Sequence, residues 1–171
     1  MSEDPFQNKP KQLKLKIEVA RPEDWQDYKK IRLEALEKNS EAFRRTLAEA
    51  LQNTDQKWKD ALSGDKVFMF LARNDLEPIG LAGAKKVVEQ GENIWRVISV
   101  YVRKEFRGGL GRRLMENVLA EIRRRGGSKV VLGVRKADSQ IPAYTLYKKI
   151  GFIEVPPVPP EEPYEMELIL K

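Results

Sequence analysis

Polar and apolar positions follow two rhythms along this chain. Leu13, Leu15, Ile17 and Val19 alternate with Lys14, Lys16 and Glu18, a period of two that predicts a half-buried strand. Pro22-Glu23-Asp24 then suits a first helical turn, with proline tolerated there and acids favoured by the dipole. Trp25, Tyr28, Ile31, Leu33 and Leu36 carry that helix to about Lys38. Residues 39–53 are looser and partly helical. Asp55 caps a short helix bearing Trp58 and Leu62, closed by Gly64. Strands are predicted at Val67–Arg73, Ile79–Val88 and Trp95–Val102, separated by turns at Asn74-Asp75 and Glu89–Asn93.

Past residue 102 the period lengthens. Leu110, Leu114, Val118 and Ile122 recur every fourth residue, flanked by Met115 and Leu119, and predict an amphipathic helix ending at Gly126-Gly127. The continuously apolar run Val130–Val134 reads as a buried strand. A helix follows at Ile141–Ile150, stopped by Gly151, then strands at Phe152–Val155 and Met166–Leu170. Between these two strands, PPVPPEEP (156–163) forces a stiff exposed loop. The order predicts one mixed α/β domain over residues 13–171, with about seven strands in a central sheet and about four helices. Residues 1–12 read as a disordered tail.

Composition narrows the chemistry. The 171 residues include no cysteine and no histidine. That excludes disulfides, thiolate metal sites, cysteine nucleophiles, histidine bases and Ser-His-Asp triads. Proton transfer is left to Glu, Asp, Tyr, Lys, a terminal amine or water. No apolar run is long enough for a membrane helix, and the polar start is unlike a signal peptide, so the chain reads as cytoplasmic. Net charge is +6. Residues 95–149 hold fourteen Lys and Arg against four Asp and Glu, so the excess is concentrated there. Such a field favours an anionic partner. Part of it, Arg123-Arg124-Arg125, suits a solvated helix end. Neither a groove-reading helix nor an aromatic stacking platform accompanies it, so nucleic acid is not expected.

Chemistry concentrates in Val97–Arg113, where a strand runs into a glycine-rich turn that opens a helix. Gly108, Gly109 and Gly111 permit tight folding with inward N–H groups, and the helix end adds positive field. Arg107, Arg112 and Arg113 surround what would be an anion site. The turn is neither a Walker loop nor a dinucleotide fingerprint, and alone it equally fits a plain tight turn.

A second constellation, Ala143-Tyr144-Thr145-Leu146-Tyr147-Lys148-Lys149-Ile150-Gly151-Phe152, stands some thirty residues on. With Val100-Tyr101-Val102, Arg107-Gly108-Gly109-Leu110-Gly111 and Val130–Val134, it resembles the GNAT superfamily of N-acetyltransferases. The front, Ala20–Trp25 and Ile31–Leu36, is also similar, so the resemblance spans roughly residues 13–170. It implies a sheet splayed between its fourth and fifth strands, with the pantetheine arm of acetyl-CoA lying in the gap as a pseudo-strand. The backbone of Val100, Tyr101 and Val102 would meet that arm, and the amides of residues 107–112 the pyrophosphate. Gln140 aligns with an Asn that commonly contacts the cofactor; Asp138 and Ser139 are close alternatives. Tyr147 would stand near the sulfur and protonate the leaving thiolate, or pack as a core aromatic, or both. No metal is implied. The acceptor is an amine of a small molecule or protein, attacked directly, in a monomer or homodimer.

Two departures matter. The turn is one residue shorter than the family's, which shifts the phosphate-binding amides by one. Arg96 occupies the position where many members carry a Glu acting as base through water. An arginine cannot deprotonate an amine. Glu34, Glu37 and Glu41 are alternative bases, or the amine arrives neutral; a coenzyme-A-binding sensor without turnover is the alternative function this raises. As a strand residue, Arg96 is otherwise expected to be an edge charge.

Overall fold

The computed structural model describes residues 14–88, 93–135, 140–155 and 164–171. The expected tail, most of the 89–93 turn, Asp138, Ser139 and the proline-rich loop fall outside these. Among the described residues seven strands occur: β1 (Leu15–Val19), β2 (Val67–Asn74), β3 (Glu77–Lys86), β4 (Ile94–Val102), β5 (Lys129–Val134), β6 (Ile153–Glu154) and β7 (Tyr164–Ile169). Among the described residues there are five α-helices rather than about four: α1 (Trp25–Lys38), α2 (Leu47–Leu51), α3 (Asp55–Asp60), α4 (Leu110–Arg124) and α5 (Ile141–Ile150). The extra one, α2, lies in the loosely patterned segment. Thr46 and Glu49 make it a helix by a reciprocal capping box, each side chain bonded to the other's backbone N–H.

The sheet order is β1-β2-β3-β4-β5-β7-β6, antiparallel throughout except for β4 and β5. The apolar run of β2 is explained by burial on both faces. Phe68, Phe70 and Ala72 join Leu114, Met115, Val118 and Ile122 of α4 in one core. Met69 and Leu71 point the other way, onto Tyr28, Ile31, Ala35 and Leu36 of α1 and Trp58 of α3. β5 differs from its expectation: Val130, Leu132 and Val134 are buried, whereas Val131 is half-buried and Gly133 exposed. One of its faces is therefore open.

The parallel pair is incomplete. β4 and β5 are in register only at Ile94–Lys129, Trp95–Val130 and Arg96–Val131. Beyond these, β4 stays paired to β3 as far as Val102, and β5 to β7 as far as Val134. The strands thus diverge into a fork whose apex is Arg96–Val131. A β-bulge sits on the β4 arm: Ile98 pairs with Gly83 and Tyr101 with Leu81, so Ser99 and Val100 together oppose Ala82. Ser99 takes a left-handed φ of 59° there. Bulges bend and twist the strand that carries them, and a non-glycine residue in this region costs about 1–3 kcal/mol.

Candidate active site

The fork encloses a cleft of about 530 Å³. Val97–Val102 line one arm and Leu132–Arg135 the other, with Ala143, Leu146 and Tyr147 of α5 beside them. Where strands part, backbone N–H and C=O groups lose their sheet partners. Such groups require new acceptors and donors, which an extended ligand supplies.

The glycine turn lies at the open end, just past β4. Gly108 and Gly109 have φ of 124° and 112°, conformations a side chain disfavours. A Cβ at either would meet nothing within 4 Å, so the demand here is conformational rather than steric. Gly111 differs: its Cβ would make ordinary contact with Leu146 at 3.5 Å. The Arg113 amide is the first to bond back into α4, to the Gly109 carbonyl at 3.1 Å. The amides of Leu110, Gly111 and Arg112 therefore have no intrahelical acceptor. Leu110 buries its side chain in the core, leaving only its amide available. Arg107 donates from Nε to the Val102 carbonyl at 3.2 Å, tying turn to strand, while Arg112 bonds Glu116 one turn on. Free amides, a positive helix end and two arginines on one cleft make an anion cradle.

Tyr147 is fixed by the end of its helix. The Phe152 amide bonds the Tyr147 carbonyl at 3.0 Å, and the Gly151 amide bonds Lys148 at 3.0 Å, with Gly151 left-handed at φ 118°. This is a Schellman cap, and its usual apolar contact is the Tyr147–Phe152 ring pair, 6.0 Å between centroids. The Tyr-x-x-x-Gly-Phe spacing thus anchors the tyrosine while it lines the cleft. Its side chain is both packed and cleft-facing. Among the described residues its hydroxyl has no hydrogen-bond partner, and burial pushes its pKa well above the ordinary value. The phenol stays protonated and able to donate.

Gln140 is 6% exposed and lines the cleft at the start of α5. Its amide donates to the Asn39 side chain at 3.2 Å, joining α5 to the end of α1. Tyr101 lines the cleft on a strand position paired with Leu81 of β3 and sends its ring into the α1 core, where its hydroxyl donates to Glu34 at 3.0 Å. Burial and Glu34 together raise the Tyr101 hydroxyl to about 12. Glu34 is a poor base. Burial alone would raise its carboxyl, but bonds from Arg103 (2.7 Å at the shortest) and Tyr101 outweigh this and hold it below the usual range. Neither Glu34, Glu37 nor Glu41 lines the cleft.

Arg96 is not an edge charge. It is half-buried on a central strand at the fork apex, bonded bidentately to Glu165 of β7 at 3.0 and 3.1 Å. Register puts Arg96, Val131, Gly133 and Glu165 on one face, so the pair crosses β5 diagonally where Gly133 has no side chain. A cation held by an acid replaces the expected acid.

Of the expected cofactor residues all line the cleft except Leu110, which is buried in the core. The cleft also gathers residues not singled out from the sequence: Arg32 on α1, Phe43, Arg44 and Arg45 in the segment before α2, Lys85 on β3 and Arg135 after β5. The available signal was Phe43-Arg44-Arg45, an aromatic beside a basic pair, but nothing local aims it at the cleft. Among the described residues, no group of acids could hold a metal ion. None of their helices is long and apolar enough to cross a membrane.

Residues 22–152 match the model of the acetyltransferase (GNAT) family. No curated protein matches the chain. Solved structures share its architecture. A GNAT-family acetyltransferase from Streptococcus pneumoniae is 18% identical, with a TM-score of 0.74 over 91% of this chain and 99% of that one. The putative acetyltransferase yncA from Salmonella typhimurium, solved with acetyl-CoA, is 21% identical, with a TM-score of 0.75 over 92% and 94%. The paia N-acetyltransferase from Thermoplasma acidophilum, in complex with coenzyme A, is 16% identical, with a TM-score of 0.71 over 91% and 99%. The forked sheet, the glycine turn at its mouth and the match over most of its length together establish that this chain belongs to the GNAT family of acetyltransferases.

Proposed function

We propose that the chain is an N-acetyltransferase that binds acetyl-CoA in the fork and passes the acetyl group directly to an amine. The observation that carries this reading is the loss of β4–β5 pairing past Arg96–Val131, with an anion cradle at the open end. The edge of β4 past Arg96, no longer paired to β5, suits the amides of a pantetheine arm. The cradle of Arg107–Arg112 suits its pyrophosphate. The bound thioester supplies an activated acyl carbon, and the amine nitrogen attacks it without a covalent enzyme intermediate.

Within this reading, Tyr147 donates its hydroxyl proton toward the departing sulfur. A tyrosine is intrinsically a weaker acid than a thiol, with reference pKa values of about 10 and about 8.5. Burial raises both in the same direction, so it does not by itself decide the direction of transfer. Among the described residues no carboxylate lines the cleft to take the place of the usual base, so in this reading the amine enters already neutral.

Calorimetry with acetyl-CoA, paired with a thiol-release assay over an amine panel, tests the reading. Saturable binding at micromolar concentration and release with at least one amine are expected. Tyr147→Phe keeps the ring and its contact with Phe152, so binding should persist. Turnover should fall by about ten- to ten-thousand-fold, the range for a lost acid–base group. Absence of binding at millimolar ligand would sink the assignment. Binding without release for any amine would favour the sensor reading.

A further inference from the structure

The cleft has an unusual charge balance. Eight Lys and Arg side chains line it and, among the described residues, not one Asp or Glu does. Arg107 and Arg112 belong to the glycine turn, and the charge of Arg96 is matched by Glu165. Arg32, Arg44 and Arg45 come instead from α1 and the segment that follows it. No ion pair forms at any of these three among the described residues. Arg45 donates to the neutral side chain of Asn53 at 2.9 Å. Glu49 acts on Arg45 only at longer range, its carboxylate being engaged by the Thr46 amide and hydroxyl.

Arg32 is the most constrained of the set. Its guanidinium lies 4.5 Å from the centroid of the Phe43 ring, and its Nη1 is buried without an acceptor. Burial works against its charge, Tyr28 partly offsets that, and Arg45 adds to it. A desolvated guanidinium with no acid beside it lacks an anion, and a carboxylate matches its fork of donors.

Resting on the acetyltransfer reading above, we propose that the acceptor is an amine carrying its own carboxylate, a free amino acid, held by Arg32, Arg44 and Arg45. The amine lone pair forms the new C–N bond as the C–S bond breaks. The nitrogen gives up one proton and the departing sulfur gains one, so an N-acetyl amino acid and free coenzyme A result. A polyamine or a lysine side chain finds no counter-charge among the described lining residues.

The test measures thiol release at saturating acetyl-CoA from alanine, leucine, phenylalanine and glutamate. The first three are compared with their carboxamides, and spermidine and a lysine peptide complete the panel. The carboxamide amine is the weaker base and is more fully neutral near pH 7, so reactivity alone favours it. A kcat/KM at least tenfold higher for the free acids therefore reports recognition of the carboxylate. Arg44 is exposed, so Arg44→Gln should fold normally and raise the amino-acid KM about tenfold, with the KM for acetyl-CoA within twofold. Arg32→Lys, which keeps charge but loses the fork, should act in the same direction.

Equal or faster turnover of carboxamides, spermidine or the peptide overturns the inference and leaves acetyltransfer standing. So does an Arg44→Gln effect confined to acetyl-CoA, which would place these arginines on the cofactor. If no amine releases thiol, acetyltransfer fails. The same amino acids are then titrated calorimetrically into coenzyme-A-loaded protein. Saturable heat lost in Arg44→Gln supports the carboxylate site, and no heat refutes it.

Discussion

Gly109 and Gly111 look equivalent in the sequence, both lying in a glycine turn before a helix. They are not equivalent in space. Gly109 holds φ 112° with open space where a Cβ would go, whereas Gly111 is the second residue of α4 and would set a Cβ 3.5 Å from Leu146. Valine at 109 must reshape the turn that aims the free amides, since a β-branched residue is a severe outlier at positive φ. Gly109→Val should weaken acetyl-CoA binding by at least tenfold in calorimetry with little change in the melting transition. Gly111→Ala should leave affinity within a fewfold. The reverse ranking would place phosphate on the helix side of the turn. Tyr147 shows how much a short motif fixes at this scale: glycine and phenylalanine four and five residues on build the cap that holds it.

α4 joins the two arms of the fork, and its C-terminal end is pinned by Glu121. That carboxylate accepts from Arg124 at 2.6 Å and from Arg125 at 2.7 Å. Arg125 in turn stacks on Phe68 at 4.7 Å and Trp95 at 5.8 Å. Hydrogen bonds from Arg124 first, then Arg125, outweigh partial burial and lower the Glu121 carboxyl from 4.5 to about 2. A carboxyl whose folded pKa is depressed adds stability that is complete above its unfolded pKa and is lost as pH falls through the folded one. The window is therefore from about pH 4.5 down to about pH 2. Glu121→Gln should lower the melting temperature at pH 7, and the gap from wild type should close across that window. A gap constant from pH 7 to pH 2 would show that the carboxylate's charge contributes nothing. Because Arg124 is exposed, solvent screening keeps the effect modest.

At the scale of the molecule, the cleft is cationic, without a carboxylate among its described lining residues, and closed at its apex by a bound arginine. Under the proposed function its pH profile belongs to the substrate. Turnover should climb with pH until the acceptor amine is neutral, and two acceptors of different amine pKa should plateau at different pH. A common plateau near neutrality for both would reveal an enzyme group titrating there, contrary to a cleft whose described lining holds no carboxylate.

Much of this molecule was legible in its residues. Strand periodicity, the four-residue spacing of α4, the glycine stop of α5 and the turn-helix junction all follow from local rules that act within a few residues. Those rules placed Tyr147, Gly108 and Gly109 correctly on their elements. What they could not decide depends on groups far apart in sequence. The fork arises because β4 and β5 each keep their antiparallel partner and share only three register pairs, with a bulge bending β4. That competition among three neighbours is invisible in any one strand. Arg96 read as an edge charge because its partner, Glu165, lies 69 residues on. Glu34 read as a candidate base until Arg103 and Tyr101 came to it across the sheet. Arg32, Arg44 and Arg45 carried no periodic signal, since a charged residue in an irregular segment suits solvent as well as a cleft. Local sequence determined the elements and the chemistry available to them; long-range packing alone decided which charges cancel and which remain open to a ligand.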